Sequence, residues 1–115
     1  MFDVTAATVA ALADATGLPC STRVPAKRPS EFVTVERTGG GVSWGKDSPN
    51  LAVQAWAGTD LRAATIAREC AVACLRMRET VPQVCKVEVG SIYDFADPDG
   101  GMYRYQVDVY VTARL

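Results

Sequence analysis

EFVTVERTGGGVSWGKDSPNLAVQAWA, residues 31–57, poses the question on which the fold turns. Its opening alternates, with Val33, Val35 and Arg37 on one side and Phe32, Thr34 and Glu36 on the other. That pattern predicts a half-buried strand over Glu31–Arg37. Its close, Asn50–Ala57, alternates again, with Leu51, Val53 and Ala55 opposed to Ala52, Gln54 and Trp56. Between the two runs, residues 38–49 hold Gly39, Gly40 and Gly41, then Val42, Trp44 and Lys46 in a polar setting. A phosphate cradle would need glycine N–H groups at a helix start, with a lysine followed by serine or threonine. Here Asp47 follows Lys46 and the next element is a strand, so the cradle reading fails. Residues 38–49 therefore read as a loop or extended arm, with the glycines as its flexible turn.

Working outward, Asp3–Thr16 reads as a helix stopped by Gly17 and Pro19. Phe2, Thr5, Val9, Leu12 and Thr16 form its expected core stripe, and Ala6, Ala7, Ala10 and Ala11 its outer face. Cys20–Val24 reads as a short strand, broken by Pro25 and Pro29 around the basic pair Lys27 and Arg28. Beyond Gly58 and Thr59, a long helix is expected over Asp60–Glu79. Its apolar face gathers Ala63, Ile66, Ala67, Cys70, Ala73, Cys74 and Met77. Two strands follow, Cys85–Ser91 and Met102–Arg114, the second with Tyr103, Tyr105, Val107, Val109 and Val111 alternating against polar partners. The predicted order is α-β-β-β-α-β-β. It implies an α+β fold with a single, mainly antiparallel or mixed sheet of about five strands and two helices on one face. The 115 residues suit one domain, 1–115.

Composition narrows the function. Twelve basic and thirteen acidic side chains leave a formal charge of −1, not the basic excess of a dedicated nucleic-acid binder. The sequence has no histidine, which removes the usual nucleophile–base pairs and the commonest transition-metal ligand. No apolar run reaches the roughly 20 residues of a membrane span. The opening residues lack the basic start of a signal peptide, so synthesis in the cytoplasm is the expectation.

Four features still invite chemistry. Asp94, Asp97 and Asp99 beside Gly100 and Gly101 loosely resemble a calcium loop, but the ligand spacing is incomplete and Pro98-Asp99-Gly100 is a turn signal in its own right. Cys20, Cys70, Cys74 and Cys85 lack a C-x-x-C pair and read as reduced, small core residues. Arg23, Lys27 and Arg28 form either a solvated loop or a contact for phosphate or an acidic surface. Trp44 either anchors a contact or tucks back on its own sheet. No catalytic residue, metal ligand or cofactor site is predicted, and no enzyme activity.

Taken together, the opening helix ending in Gly17, the Pro25…Arg28-Pro29 entry to Phe32-Val33-Thr34-Val35, and the Gly39-Gly40 step form a recognisable layout. Asp47-Ser48-Pro49-Asn50 leading to Trp56, the alanine-rich second helix, and Asp97-Pro98-Asp99-Gly100 before Tyr103-Arg104-Tyr105 extend it. This layout resembles the tail terminator, or tail completion, proteins of long-tailed bacteriophages. The resemblance implies a sheet with two helices on one side. It also implies a virion protein of the tail or neck, made in the bacterial host cytoplasm, that forms a hexameric ring. Such a ring caps the tail tube, ends its polymerisation and joins the tail to the head–neck connector, while genomic DNA passes through the lumen without specific binding. The expected partners are copies of the chain itself, the tail tube protein and the connector, with no membrane. On that analogy the candidate interface comprises Lys27, Arg28, Gly39, Gly40, Gly41, Val42, Trp44 and Lys46. Two alternatives stay open: another connector or neck subunit, and a small non-catalytic α+β module that binds a ligand or protein.

Overall fold

The computed structural model describes residues 1–97 and 99–115. The elements follow the expected order: α1 (Val4–Thr16), β1 (Cys20–Ser21), β2 (Phe32–Ser43), β3 (Lys46–Ala57), α2 (Asp60–Thr80), β4 (Val84–Asp94) and β5 (Tyr103–Arg114). They form an α+β fold with one five-stranded sheet, ordered β1-β2-β3-β5-β4. Among the described residues, only β1 and β2 run parallel, and the other neighbouring pairs are antiparallel. β5 thus inserts between β3 and β4, and α2 carries the chain over it.

Local chemistry sets the helix ends. The Asp3 carboxylate accepts the Ala6 N–H at 3.0 Å, and Gly17 closes α1 in the left-handed region at φ 69°. The Thr59 hydroxyl accepts the Arg62 N–H at 3.2 Å to open α2. The whole expected apolar face of α2, from Ala63 to Met77, is buried against the sheet. On α1 the buried line is Val4, Thr8 and Leu12, so the stripe is rotated from the expected one. Phe2 and Val9 pack only partly, while Ala6 and Ala10 face outward and Ala7 and Ala11 are half-buried. Thr8 enters the core because its hydroxyl donates to the Val4 carbonyl at 2.8 Å, leaving its methyl to pack.

Three further expectations are corrected. β1 is two residues long and does not reach Val24. Cys85 is exposed on the edge strand β4, whereas Cys70 and Cys74 are buried and Cys20 is half-buried. The glycines are neither loop nor turn: they lie within β2, paired to β3 as Gly39↔Asn50, Gly40↔Pro49 and Gly41↔Ser48. The turn is Trp44–Gly45, closed by the Ser43↔Lys46 pair, with Gly45 at φ 75°. Alternation could not show this, because glycines carry no side chain to alternate.

The reason for glycine is sharpest at position 40. Its φ is 92°, and an added Cβ would lie 2.1 Å from the Ser48 carbonyl oxygen and 2.7 Å from Pro49 Cα. Nothing lies within 4 Å of a Cβ at Gly41, whose φ is ordinary. We expect Gly40→Ala to lower unfolding stability by about 1–3 kcal/mol through backbone strain. Gly41→Ala should change it by less than about 0.5 kcal/mol. Urea denaturation of the two variants checks this, and equal effects would contradict the assigned register.

Candidate functional site

β2 and β3 are each 12 residues long, about 40 Å of extended chain. That length matches the long axis of a molecule measuring 43 × 25 × 23 Å. α1, with 13 residues, is only about 20 Å long. The far half of the β2–β3 hairpin therefore extends past α1 as an arm whose β3 strand stays paired with β5, from Asn50↔Tyr110 to Lys46↔Arg114. A bulge between Arg37 and Gly39 marks its base. There Arg37 grips Asp47 with two parallel hydrogen bonds of 2.8 Å, which push the guanidinium pKa up from its usual value. At the other end, Leu115 N–H donates to the Gly45 carbonyl at 3.0 Å, tying the end of β5 to the turn.

The arm presents most of the candidate interface residues. Trp44 is fully exposed (102%) and Val42 largely so (66%), so Trp44 does not tuck back on the sheet. Gly40, Gly41 and Lys46 are exposed beside them, and Gly39 is half-buried. Lys27 and Arg28 stand apart from this group. Lys27 is exposed in the loop between β1 and β2, and Arg28 is engaged within its own chain.

That engagement belongs to the sheet face opposite the helices. Two rows of side chains cross it in register. The first runs Phe32–Trp56–Arg104, from β2 through β3 to β5. Phe32 and Trp56 stack at 5.3 Å, and the Arg104 guanidinium lies 4.8 Å from the Trp56 ring and 4.1 Å from the Phe95 ring. Arg104 also donates to the carbonyls of Phe95 and Ala96. Arg28 comes from the crossover loop to lie 5.2 Å over Trp56.

The second row runs Thr34–Gln54–Gln106–Tyr93, across β2, β3, β5 and β4. Thr34 donates to Gln54 at 3.2 Å, Gln54 to Gln106 at 3.0 Å, and Gln106 to the Tyr93 hydroxyl at 2.7 Å and to Asp108 at 3.0 Å. Trp56 Nε1 donates into Thr34 and joins the rows. Burial, and then the Asp108 carboxylate, raise the Tyr93 pKa. No buried side-chain polar atom among the described residues lacks a partner. The buried polar atoms of the two rows are thus satisfied by one another. Periodicity placed these residues on faces, but the β3–β5 pairing that brings them together is not written in either strand alone.

The other chemical candidates resolve similarly. Asp97 binds the Arg28 guanidinium at 2.9 Å and accepts the Asp99 N–H at 3.1 Å. Gly100 N–H returns to the Asp97 carbonyl at 3.1 Å, as a turn requires; Pro98 of the expected turn lies outside the described residues. Among the described residues, no three aspartate, glutamate or cysteine side chains gather as a metal-ligand set. Burial pushes the Cys74 thiol up to about 12 and that of Cys70 higher still, so both are protonated at neutral pH. No helix among the described residues is long and apolar enough to cross a membrane. Compared with known proteins, the sequence matches no family model and no curated protein.

Burial alone would raise the Asp97 pKa, but the Asp99 N–H and the Arg28 guanidinium outweigh it and hold the carboxyl below its usual value. A depressed carboxyl stabilises the fold above its unfolded pKa, about 3.9, and that contribution is lost as pH falls through the folded value. Asp97→Asn should therefore cost about 1 kcal/mol at pH 7. The deficit relative to the parent chain should shrink below about pH 4. Denaturant melts at pH 7 and pH 3 read this directly, and a deficit independent of pH would contradict it.

Proposed function

We propose that this chain is a structural virion protein that works by presenting surface to copies of itself. It assembles as a ring, hexameric by the resemblance drawn from its sequence, that caps the tail tube of a long-tailed bacteriophage. Capping ends tube polymerisation, and the outer side of the ring joins the tail to the head–neck connector. Genomic DNA passes through the lumen without specific binding, in keeping with a formal charge of −1. The reading makes no use of a cofactor, a metal or a bond-breaking step.

The observation that carries the reading is the arm. A fully exposed tryptophan at the tip of the β2–β3 hairpin is apolar surface of the type that interfaces concentrate. The element order, with both helices on one face of a five-stranded sheet, agrees with the architecture the resemblance implies. Surface area allows it too. Each stable contact takes about 800 Å² per partner, so two neighbours would use about a quarter of the chain's 6333 Å². The rest remains for the tube and connector.

The test is the mass of the assembled particle. Light scattering coupled to size exclusion should give about 74 kDa, six times the 12.3 kDa chain, alone or after addition of tail tube protein. Negative-stain images should show rings. A 12.3 kDa species under both conditions would contradict the reading.

A further inference from the structure

The outer surface, away from the sheet, holds a second feature. Where α1 and α2 lie side by side, a groove of about 410 Å³ is lined by Ala15, Val72 and Ala73 and edged by Arg68, Glu69 and Arg76. Val72 is half exposed (49%). Among the described residues, neither Arg68 nor Arg76 has a carboxylate within 4.0 Å, and Glu69 has no basic group within 4.0 Å, though its charge acts on Arg62. The groove is thus an apolar trough edged by two guanidinium groups and one carboxylate, none of which forms a salt bridge among the described residues.

We propose that this groove receives the hairpin tip of a second copy of the chain, with Trp44 seated against Val72 and Ala73. The inference rests on the ring reading above and names the surface that the arm engages. Three observations specify the occupant. Guanidinium groups lie favourably on indole faces, and this protein already holds its other tryptophan, Trp56, under Arg28 and Arg104. Arg68 and Arg76 offer Trp44 the same company. Lys46, next to the turn, supplies a cation for Glu69, the one carboxylate of the groove lining. The groove volume falls within the range of sites that enclose a small ring system.

An indole buries about 200 Å². That is about a quarter of the 800 Å² a stable contact takes, so Trp44 is the anchor and the hairpin end beside it supplies the remainder. Tip and groove are different surfaces of one chain. In a ring the contact is head-to-tail, and each subunit gives one tip to one neighbour and receives another from the next, whereas a dimer would exchange the two reciprocally.

Two full-length variants test it: Trp44→Ala, which removes the tip, and Val72→Glu, which places a charge in the groove. Both positions are exposed, so the core is untouched. Trp56 is buried, which leaves Trp44 as the reporter of its surroundings. Tryptophan emission of the parent chain should shift to the blue and resist acrylamide quenching as concentration rises. Each variant should weaken self-association at least ~10-fold. An equimolar mixture should form a two-chain species, because each variant keeps one intact half of the contact.

A parent chain that assembles with Trp44 still quenched, or variants that assemble like the parent, would overturn the seat and leave the ring reading standing. A parent dimer that depends on both Trp44 and Val72 would support the seat and contradict the ring. A parent chain that stays monomeric with Trp44 exposed, or a mixture that stays monomeric while the parent assembles, would overturn the seat.

Discussion

The burial of β3 on both of its faces is the constraint from which the rest of this structure follows. Every residue from Leu51 to Ala57 is buried, although only one face of the sheet carries helices. On the helix side Leu51, Val53, Ala55 and Ala57 pack into the core beneath α2. The other side has no helix, so its cover must come from neighbouring strands and from loops. Phe32, Arg104 and Arg28 enclose Trp56, and Thr34 and Gln106 enclose Gln54. This cover explains the basic, proline-punctuated entry to β2. Parallel strands need a crossover, and here a loop makes it on the face α1 does not occupy, ending with Arg28 pinned between Trp56 and Asp97.

The two rows also fix the register. A one-residue slip between β3 and β5 would turn Gln54 and Trp56 into the apolar core and set Val53 or Ala55, depending on its direction, against Gln106. The first row resists this by stacking and the second by hydrogen bonds that leave no buried polar atom without a partner. With its strands locked in this way, the hairpin continues beyond α1 with β3 still paired to β5 as far as Lys46↔Arg114. The Arg37–Asp47 clamp and the Leu115–Gly45 bond hold it as well. An arm stiffened at both ends loses less freedom on contact than a floppy loop, which favours binding.

Much of the fold was legible in the sequence because it is written in side-chain period. The face of α2 from Ala63 to Met77 and the alternation of β5 both stand as read. Two kinds of information were not legible. Periodicity fades where side chains are small: Gly39–Gly41 looked like a loop and are strand, and the alanines of α1 left its rotation open. Pairing between distant strands leaves no local trace either, so nothing in Gln54 announces Gln106, nor Trp56 Arg104. Of the candidate site, Val42, Trp44 and Lys46 came together at one tip, whereas Arg28 proved to be engaged inside its own chain. Its adjacent charge Lys27 gave no hint of that difference.

A chain that folds around a doubly covered strand and leaves its largest exposed aromatic at the end of a hairpin holds that aromatic away from its core. Amide hydrogen exchange, compared between dilute and assembled protein and read by peptide, tests that separation most directly. The account expects new protection on assembly over residues 39–46 and along the facing surfaces of α1 and α2, with the β3–β5 centre unchanged. New protection confined to the face of Gln54 and Gln106, with the arm exchanging as freely as before, would contradict it.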